Sequence, residues 1–132
     1  IQVNKTRWSS YSIFYHIVWC PKYRRKVLDE NVAKALKGLI AECCLSAGME
    51  LLAVETDTDH VHVFVSAPPR MSPAYIAGLL KGHTAKHLRE KFPSLKTRCG
   101  KDSLWTRTYY VGTAGAVSKE TILRYINECQ GK

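Results

Sequence analysis

Apolar and polar positions alternate with period two across YSIFYHIVW, residues 11–19, which sets Ile13, Tyr15, Ile17 and Trp19 against Phe14, His16 and Val18. This predicts a strand, closed by Pro21. From Asp29 the period changes to helical, with Val32, Leu36, Leu39, Ile40 and Cys43 on one stripe and Gly48 where a C-terminal cap belongs, so a helix is expected over about 29–47. ELLAVETD (50–57) and HVHVFVSA (60–67) alternate again and are separated only by Thr58 and Asp59, which predicts a hairpin. Ser72 and Pro73 start a second helix with Ile76, Leu79, Leu80, Ala85 and Leu88 on its apolar stripe, and Pro93 stops it. A basic, glycine-containing loop is expected next, then a short strand in RTYYVG (107–112) and a last helix, SKETILRYINECQ (118–130), capped by Ser118.

The order βαββαβα predicts an α+β fold of the ferredoxin-like, split βαβ kind: an antiparallel sheet with two helices on one face, followed by a C-terminal helix. Because strand residues alternate between faces, Val61, Val63 and Val65 are expected under the helices and His60, His62 and Phe64 on the opposite, open face. The 132 residues are read as one domain, 1–132, long enough to bury its own core.

Composition narrows the function classes. Twenty Lys and Arg against eleven Asp and Glu give a net charge of +9, which favours a polyanionic partner, nucleic acid first. The five cysteines form no CxxC pair and leave an odd count, so a reduced, cytoplasmic protein is expected. No apolar run is long enough to span a bilayer, and no membrane partner is expected.

The chemistry concentrates in DHVHVFV, residues 59–65. Residues i and i+2 on one strand face lie within ~7 Å of each other, close enough for two imidazoles to converge on a divalent ion. Most HxH pairs on sheet surfaces are nonetheless structural or solvated. What changes the picture is the last helix, where Tyr125 sits among Arg124, Asn127 and Glu128. Two histidines and a tyrosine are the minimum set for cleaving single-stranded DNA: a metal on neutral imidazoles polarises the phosphate, and the tyrosine oxygen attacks phosphorus and releases a free 3′ hydroxyl.

Successive blocks of the chain, YHIVWCPKYRRKV (15–27), DHVHVFVSAPPRMS (59–72), LLKGHTAKHL (79–88), LWTRTYYVGTAG (104–115) and YINECQ (125–130), resemble in order those of the single-tyrosine HUH transposases, the TnpA proteins of the insertion-sequence 200/605 family. The resemblance implies that His60 and His62 are metal ligands and catalytic residues, that Tyr125 is the nucleophile joined to a DNA 5′ phosphate, and that the metal is Mg²⁺ or Mn²⁺. It also implies a homodimer whose active sites are completed in trans by the tyrosine helix, acting on single-stranded DNA hairpins at the ends of a mobile element. No nucleotide cofactor is implied, and the chain lacks a GxxxxGK[ST] loop. In one respect the chain departs from the family: the third ligand there is usually a glutamine four residues after the tyrosine, a place taken here by Cys129, with Gln130 one residue further on. On a regular helix Gln130 points roughly 140° away from Tyr125. A one-residue bulge restores it as the ligand; Glu128 or water are the alternatives, and an impaired copy a further one. Thr58 stands where the family often has proline.

Lys22, Arg24, Arg25 and Lys26, with Tyr23 among them, suit phosphate contact and stacking on an unpaired base, and Lys81 extends the basic surface of the second helix. His83 and His87 are spaced like zinc ligands but lack an HExxH glutamate and are read as part of that surface. Glu55, Asp57 and Asp59 are read as a solvated hairpin end, with Asp59 a candidate to orient a histidine. His16 has no partner visible in sequence and is read as a packed residue. Trp105, Tyr109 and Tyr110 are divided between base stacking and burial under the last helix, and Gly112 and Gly115 between a hinge and an ordinary turn. Two other functions fit the same residues: an HUH endonuclease of replication or mobilisation, or a domesticated relative acting on repeats, and a non-catalytic ferredoxin-like binder of single strands.

Overall fold

The Oδ1 of Asp29 accepts a hydrogen bond from the Val32 amide at 2.9 Å and starts α1 (Glu30–Ala47), which Gly48 closes in the left-handed region at φ 78°. This computed structural model describes residues 3–5, 8, 10–11, 13–99 and 103–113, and the second long helix starts in the same way. Ser72 caps α2 (Pro73–Lys91) by accepting from the Tyr75 amide, with proline in the first turn where its missing N–H costs nothing.

Before α1 come β1 (Asn4–Lys5), β2 (Ser10–Tyr11) and β3 (Phe14–Trp19); between the long helices come β4 (Glu50–Asp57) and β5 (His60–Ser66); after them come α3 (Ser94–Cys99) and β6 (Tyr110–Thr113). The main sheet runs β4-β5-β3-β6, every pair antiparallel, which is the ferredoxin-like order. The tyrosine-bearing last helix expected over 118–130 lies outside the described residues.

The core forms between one sheet face and the two long helices. Ile17, Trp19, Val61, Val63 and Val65 meet Leu36 and Ile40 of α1 and Ile76 and Leu80 of α2, all essentially inaccessible. Each such large side chain contributes roughly 1.5–3 kcal/mol by leaving water. Trp105 extends this core and is packed edge-on against Trp19, its Nε1 donating to Thr84 Oγ1 at 3.1 Å. Of the two roles considered for Trp105, burial is therefore the observed one, against α2 and β3.

Three expectations are corrected. The basic stretch after Pro93 contains the short helix α3, anchored by buried Leu95 and Cys99. The strand expected at 107 begins at Tyr110, because residues 104–106 instead bond to the backbone of Cys20 and Lys22. Phe64 does not face solvent: it is 1% exposed and forms a second small cluster with Phe14 and Leu52, where β4 carries a bulge between Leu51 and Ala53. The sheet face opposite the helices is therefore covered at one end and accessible toward the β4–β5 turn. Among the described residues no helix is long and apolar enough to cross a membrane.

Candidate active site

Alternation along β5 sends the three valines into the core and His60 and His62 to the other face. Both histidines are partly exposed, and their ring centroids are 5.0 Å apart with the planes at 74°. Across the sheet, Glu55 lies opposite His62 and Asp57 opposite His60 on β4, and Val18 lies opposite His62 on β3.

Each histidine has its Nδ1 occupied. His60 Nδ1 lies 2.9 Å from Asp59 Oδ1, and the other oxygen of that carboxylate receives Arg24 at 3.3 Å. The hydrogen bond with His60 is the main reason the Asp59 carboxyl is held below the usual carboxylate range. His62 Nδ1 lies 2.9 Å from His16 Nε2. His16 is therefore not merely a packed residue. Its ring is stacked on Phe64 at 4.2 Å and met edge-on by Tyr110, and burial, with the neighbouring His62 adding to it, pushes its pKa down to about 4. Burial also lowers His62, with His60 adding and Asp57 opposing. Neutral imidazole is the form that binds metal.

The spacing of the two rings matches that of ligands on a shared divalent ion. Two rings held through Nε2 at ~2.1 Å have centroids roughly 3.2 Å from the ion, so at octahedral to tetrahedral bond angles the centroids lie roughly 4.6–5.3 Å apart. The observed 5.0 Å falls within that interval. With both Nδ1 atoms engaged, the two Nε2 atoms are the remaining donors, so the residues fit. Among the described residues no third His, Cys, Asp or Glu converges with them, and Tyr125, Cys129 and Gln130 lie outside the described residues.

Beside the histidines the chain makes a tight 3-10 turn at Lys22–Arg24, in which Tyr23 (φ 61°) and Arg24 (φ 52°) both adopt the left-handed conformation that non-glycine residues rarely accept. The turn presents Tyr23 at 71% exposure, with Lys22 Nζ 5.4 Å and the Arg25 guanidinium 5.9 Å from its ring centroid. Next to it opens a cleft of about 650 Å³ lined by Lys22, Tyr23, Ser103, Trp105, Thr106 and Arg107. Lys81 is placed differently from the other basic candidates: its ammonium donates to the carbonyls of Thr106 (2.6 Å), Arg107 (3.2 Å) and Thr108 (3.4 Å), and burial lowers its pKa. That charge is committed to holding one wall of the cleft.

His83 and His87 are on the helix layer, away from the sheet face, with His83 Nε2 3.1 Å from Glu42 Oε1 and His87 Nδ1 3.3 Å from Glu90 Oε1. Gly112 lies within β6 opposite His16 rather than in a turn, and a Cβ there would fall 2.5 Å from the Tyr110 hydroxyl, so its bareness makes room for that ring. Sequence reasoning missed the His16–His62 contact. The available signal was the ferredoxin-like strand order, which makes the first and third strands of the main sheet neighbours and puts His16 on the same face as the histidine pair.

The model of the IS200-like transposase family matches residues 9–129. The chain is 31% identical to the ISDra2 transposase TnpA of Deinococcus radiodurans over 132 residues, which cover all of this chain and 94% of that protein. It is 36% identical to the transposase for insertion sequence element IS200 of Salmonella typhimurium over 110 residues, 83% of this chain and 70% of that one. Among solved structures it is similar to a putative transposase from Deinococcus radiodurans, with a TM-score of 0.78, 33% identity, and coverage of 95% of this chain and 96% of the other. The same fold recurs in a REP-associated tyrosine transposase bound to a REP hairpin, at a TM-score of 0.60 and 14% identity, over 97% of this chain and 73% of that one. With the match spanning nearly its whole length, this chain belongs to the family of IS200-like transposases.

Proposed function

We propose that the protein cleaves and rejoins single-stranded DNA through a covalent bond between Tyr125 and a 5′ phosphate, with His60 and His62 holding a divalent metal, Mg²⁺ or Mn²⁺, and Gln130 supplying the third ligand. The observation that carries this is the occupation of both Nδ1 atoms, by Asp59 and by His16, which leaves the two Nε2 atoms as donors at the accessible end of the sheet face. When bound, the metal withdraws charge from the scissile phosphate and favours attack on it. The remaining steps belong to side chains. The Tyr125 oxygen loses its proton to solvent and bonds phosphorus; the bond from phosphorus to the 3′ oxygen breaks; and that oxygen takes up a proton as the free 3′ hydroxyl. Attack by a 3′ hydroxyl from another strand end reverses the sequence and frees Tyr125, so no nucleotide cofactor is consumed.

Lys22, Arg24 and Arg25 supply the phosphate-facing charge and Tyr23 a stacking surface for an unpaired base, in keeping with hairpins at element ends as the substrate. Lys81 contributes by fixing residues 106–108. The protein acts as a homodimer in the cytoplasm, each tyrosine helix completing its partner's site, and residues 1–132 form a single catalytic unit.

The test is incubation with single-stranded oligonucleotides from both flanks of its own gene, with Mn²⁺, Mg²⁺ or chelator. A metal-dependent adduct that resists denaturation, and is lost in His62→Ala, supports the proposal. Binding without an adduct under either metal contradicts it and favours a non-catalytic binder.

A further inference from the structure

The contact between His16 and His62 has an unusually constrained geometry. A ring nitrogen lies roughly 1.15 Å from its own centroid, so a pair of imidazoles whose nitrogens approach to 2.9 Å can have centroids at most roughly 5.2 Å apart. The observed separation is 5.2 Å, with the planes inclined by only 18°. That limit is reached only when the N···N line passes along both ring axes. The rings therefore meet edge to edge, nearly coplanar, with the lone pair of one aimed down the N–H of the other. This is an in-line hydrogen bond rather than a stack.

The alignment is imposed from outside the pair. His16 sits on β3 at 8% exposure, its face against Phe64 at 4.2 Å and 12°, and the edge of Tyr110 approaches at 5.7 Å. Phe64 is itself buried with Phe14 and Leu52. Packing against Phe64 and Tyr110 therefore sets the plane in which the His16 ring reaches His62 Nδ1.

One proton lies between the two nitrogens, and its owner decides what His62 can do. A neutral imidazole in water prefers to carry its proton on Nε2, which in His62 removes the lone pair a metal needs there, and His16 can hold the His62 proton on Nδ1 only by carrying its own proton on Nδ1. If His62 donates from Nδ1, its Nε2 is a ligand. We propose that His16 is a positioning residue for His62: its Nε2 accepts a hydrogen bond from the His62 Nδ1–H, fixing the tautomer and ring angle in which His62 Nε2 binds the catalytic metal. The inference rests on the metal-holding role assigned above to His60 and His62. The two histidines are then oriented by unlike partners, His60 by the Asp59 carboxylate and His62 by a neutral acceptor that adds no charge to the site.

The experiment begins with the unmutated protein in chelator, its histidine side chains followed by long-range ¹H–¹⁵N correlation spectra, so it needs neither DNA nor activity. The expected result is His62 and His16 both protonated on Nδ1; finding His62 protonated on Nε2 overturns the proposal. The second measurement is Mn²⁺ affinity without DNA for the parent, His16→Phe, His16→Gln and His62→Ala. His16→Phe keeps the aromatic stack on Phe64 and removes the acceptor, and it is expected to shift His62 toward the Nε2 tautomer and weaken Mn²⁺ binding about 10–100-fold. His16→Gln restores a carbonyl acceptor and is expected to recover most of that loss. Equal weakening in both variants means that His16 only packs, and overturns the proposal. Parent affinity that His62→Ala leaves unchanged shows instead that the metal-holding assignment is wrong, and this role for His16 fails with it, whatever the tautomer.

Discussion

Asp59 Oδ1 accepts a hydrogen bond from His60 Nδ1 at 2.9 Å, and Arg24 grips Oδ2 of the same carboxylate at 3.3 Å. One residue at the tip of the β4–β5 hairpin thus ties the basic turn to the histidine pair. Carboxylates placed behind a ligating imidazole fix its orientation and raise its basicity. Asp59→Ala is expected to weaken Mn²⁺ binding about 10–100-fold, and Asp59→Asn, which retains an acceptor oxygen, is expected to weaken it less. Titration calorimetry on the free protein checks this, and equal affinities for parent and Asp59→Ala would remove the residue from the site.

The burial that holds His16 near a pKa of about 4, against 6.5 for the free group, also makes a statement about stability. Between those values the unfolded chain binds more protons at this position than the folded one, so the contribution is full above 6.5 and is lost as pH falls toward 4. His62, lowered mainly by burial as well, acts in the same direction. Urea unfolding in chelator is expected to give a midpoint that falls between pH 7 and pH 4.5, with a shallower dependence in His16→Phe whatever its absolute stability. Parallel dependences in the two proteins would contradict the buried, neutral state of His16.

Tyr23 is held outward by two consecutive left-handed residues and flanked by Lys22 and Arg25. Stacking on an unpaired base is worth about 1–3 kcal/mol, so Tyr23→Ala is expected to weaken single-strand binding by roughly 5–150-fold and Tyr23→Phe hardly at all. If Arg25 faces a phosphate as proposed, Arg25→Ala is expected to lower the salt slope by about 0.7. Fluorescence anisotropy against salt concentration separates the two effects, and unaltered affinity in Tyr23→Ala would exclude the stacking role.

The third ligand is open to a direct comparison. Gln130→Ala is expected to weaken Mn²⁺ binding by about tenfold and Cys129→Ala to leave it unchanged, because a hard cation prefers the amide oxygen to sulfur. A loss confined to Cys129→Ala would reverse the assignment, and no loss in either would give the position to Glu128 or water.

Much of this architecture was legible because its signals are local. Asp29, Gly48, Ser72 and Pro73 mark helix ends through hydrogen bonds to residues within a few positions, and the Thr58–Asp59 turn fixes the hairpin. The histidine pair announced its face by parity alone. What escaped depends on register between distant strands: Phe64 is buried by Phe14 and Leu52, and His16 finds His62 across 46 residues of sequence. Lys81 looked like free surface charge, and only the approach of residues 106–108 turns it inward. The short α3 has two buried anchors, Leu95 and Cys99, too few to show a period.

The central claim is that the histidine pair on β5 serves a tyrosine nucleophile. Peptide mapping by mass spectrometry of the adduct formed with a single-stranded flank oligonucleotide and Mn²⁺ tests it most directly. The account predicts a DNA 5′ phosphate bonded to Tyr125, abolished in Tyr125→Phe. A covalent bond at any other residue, or an adduct that persists in Tyr125→Phe, would contradict it.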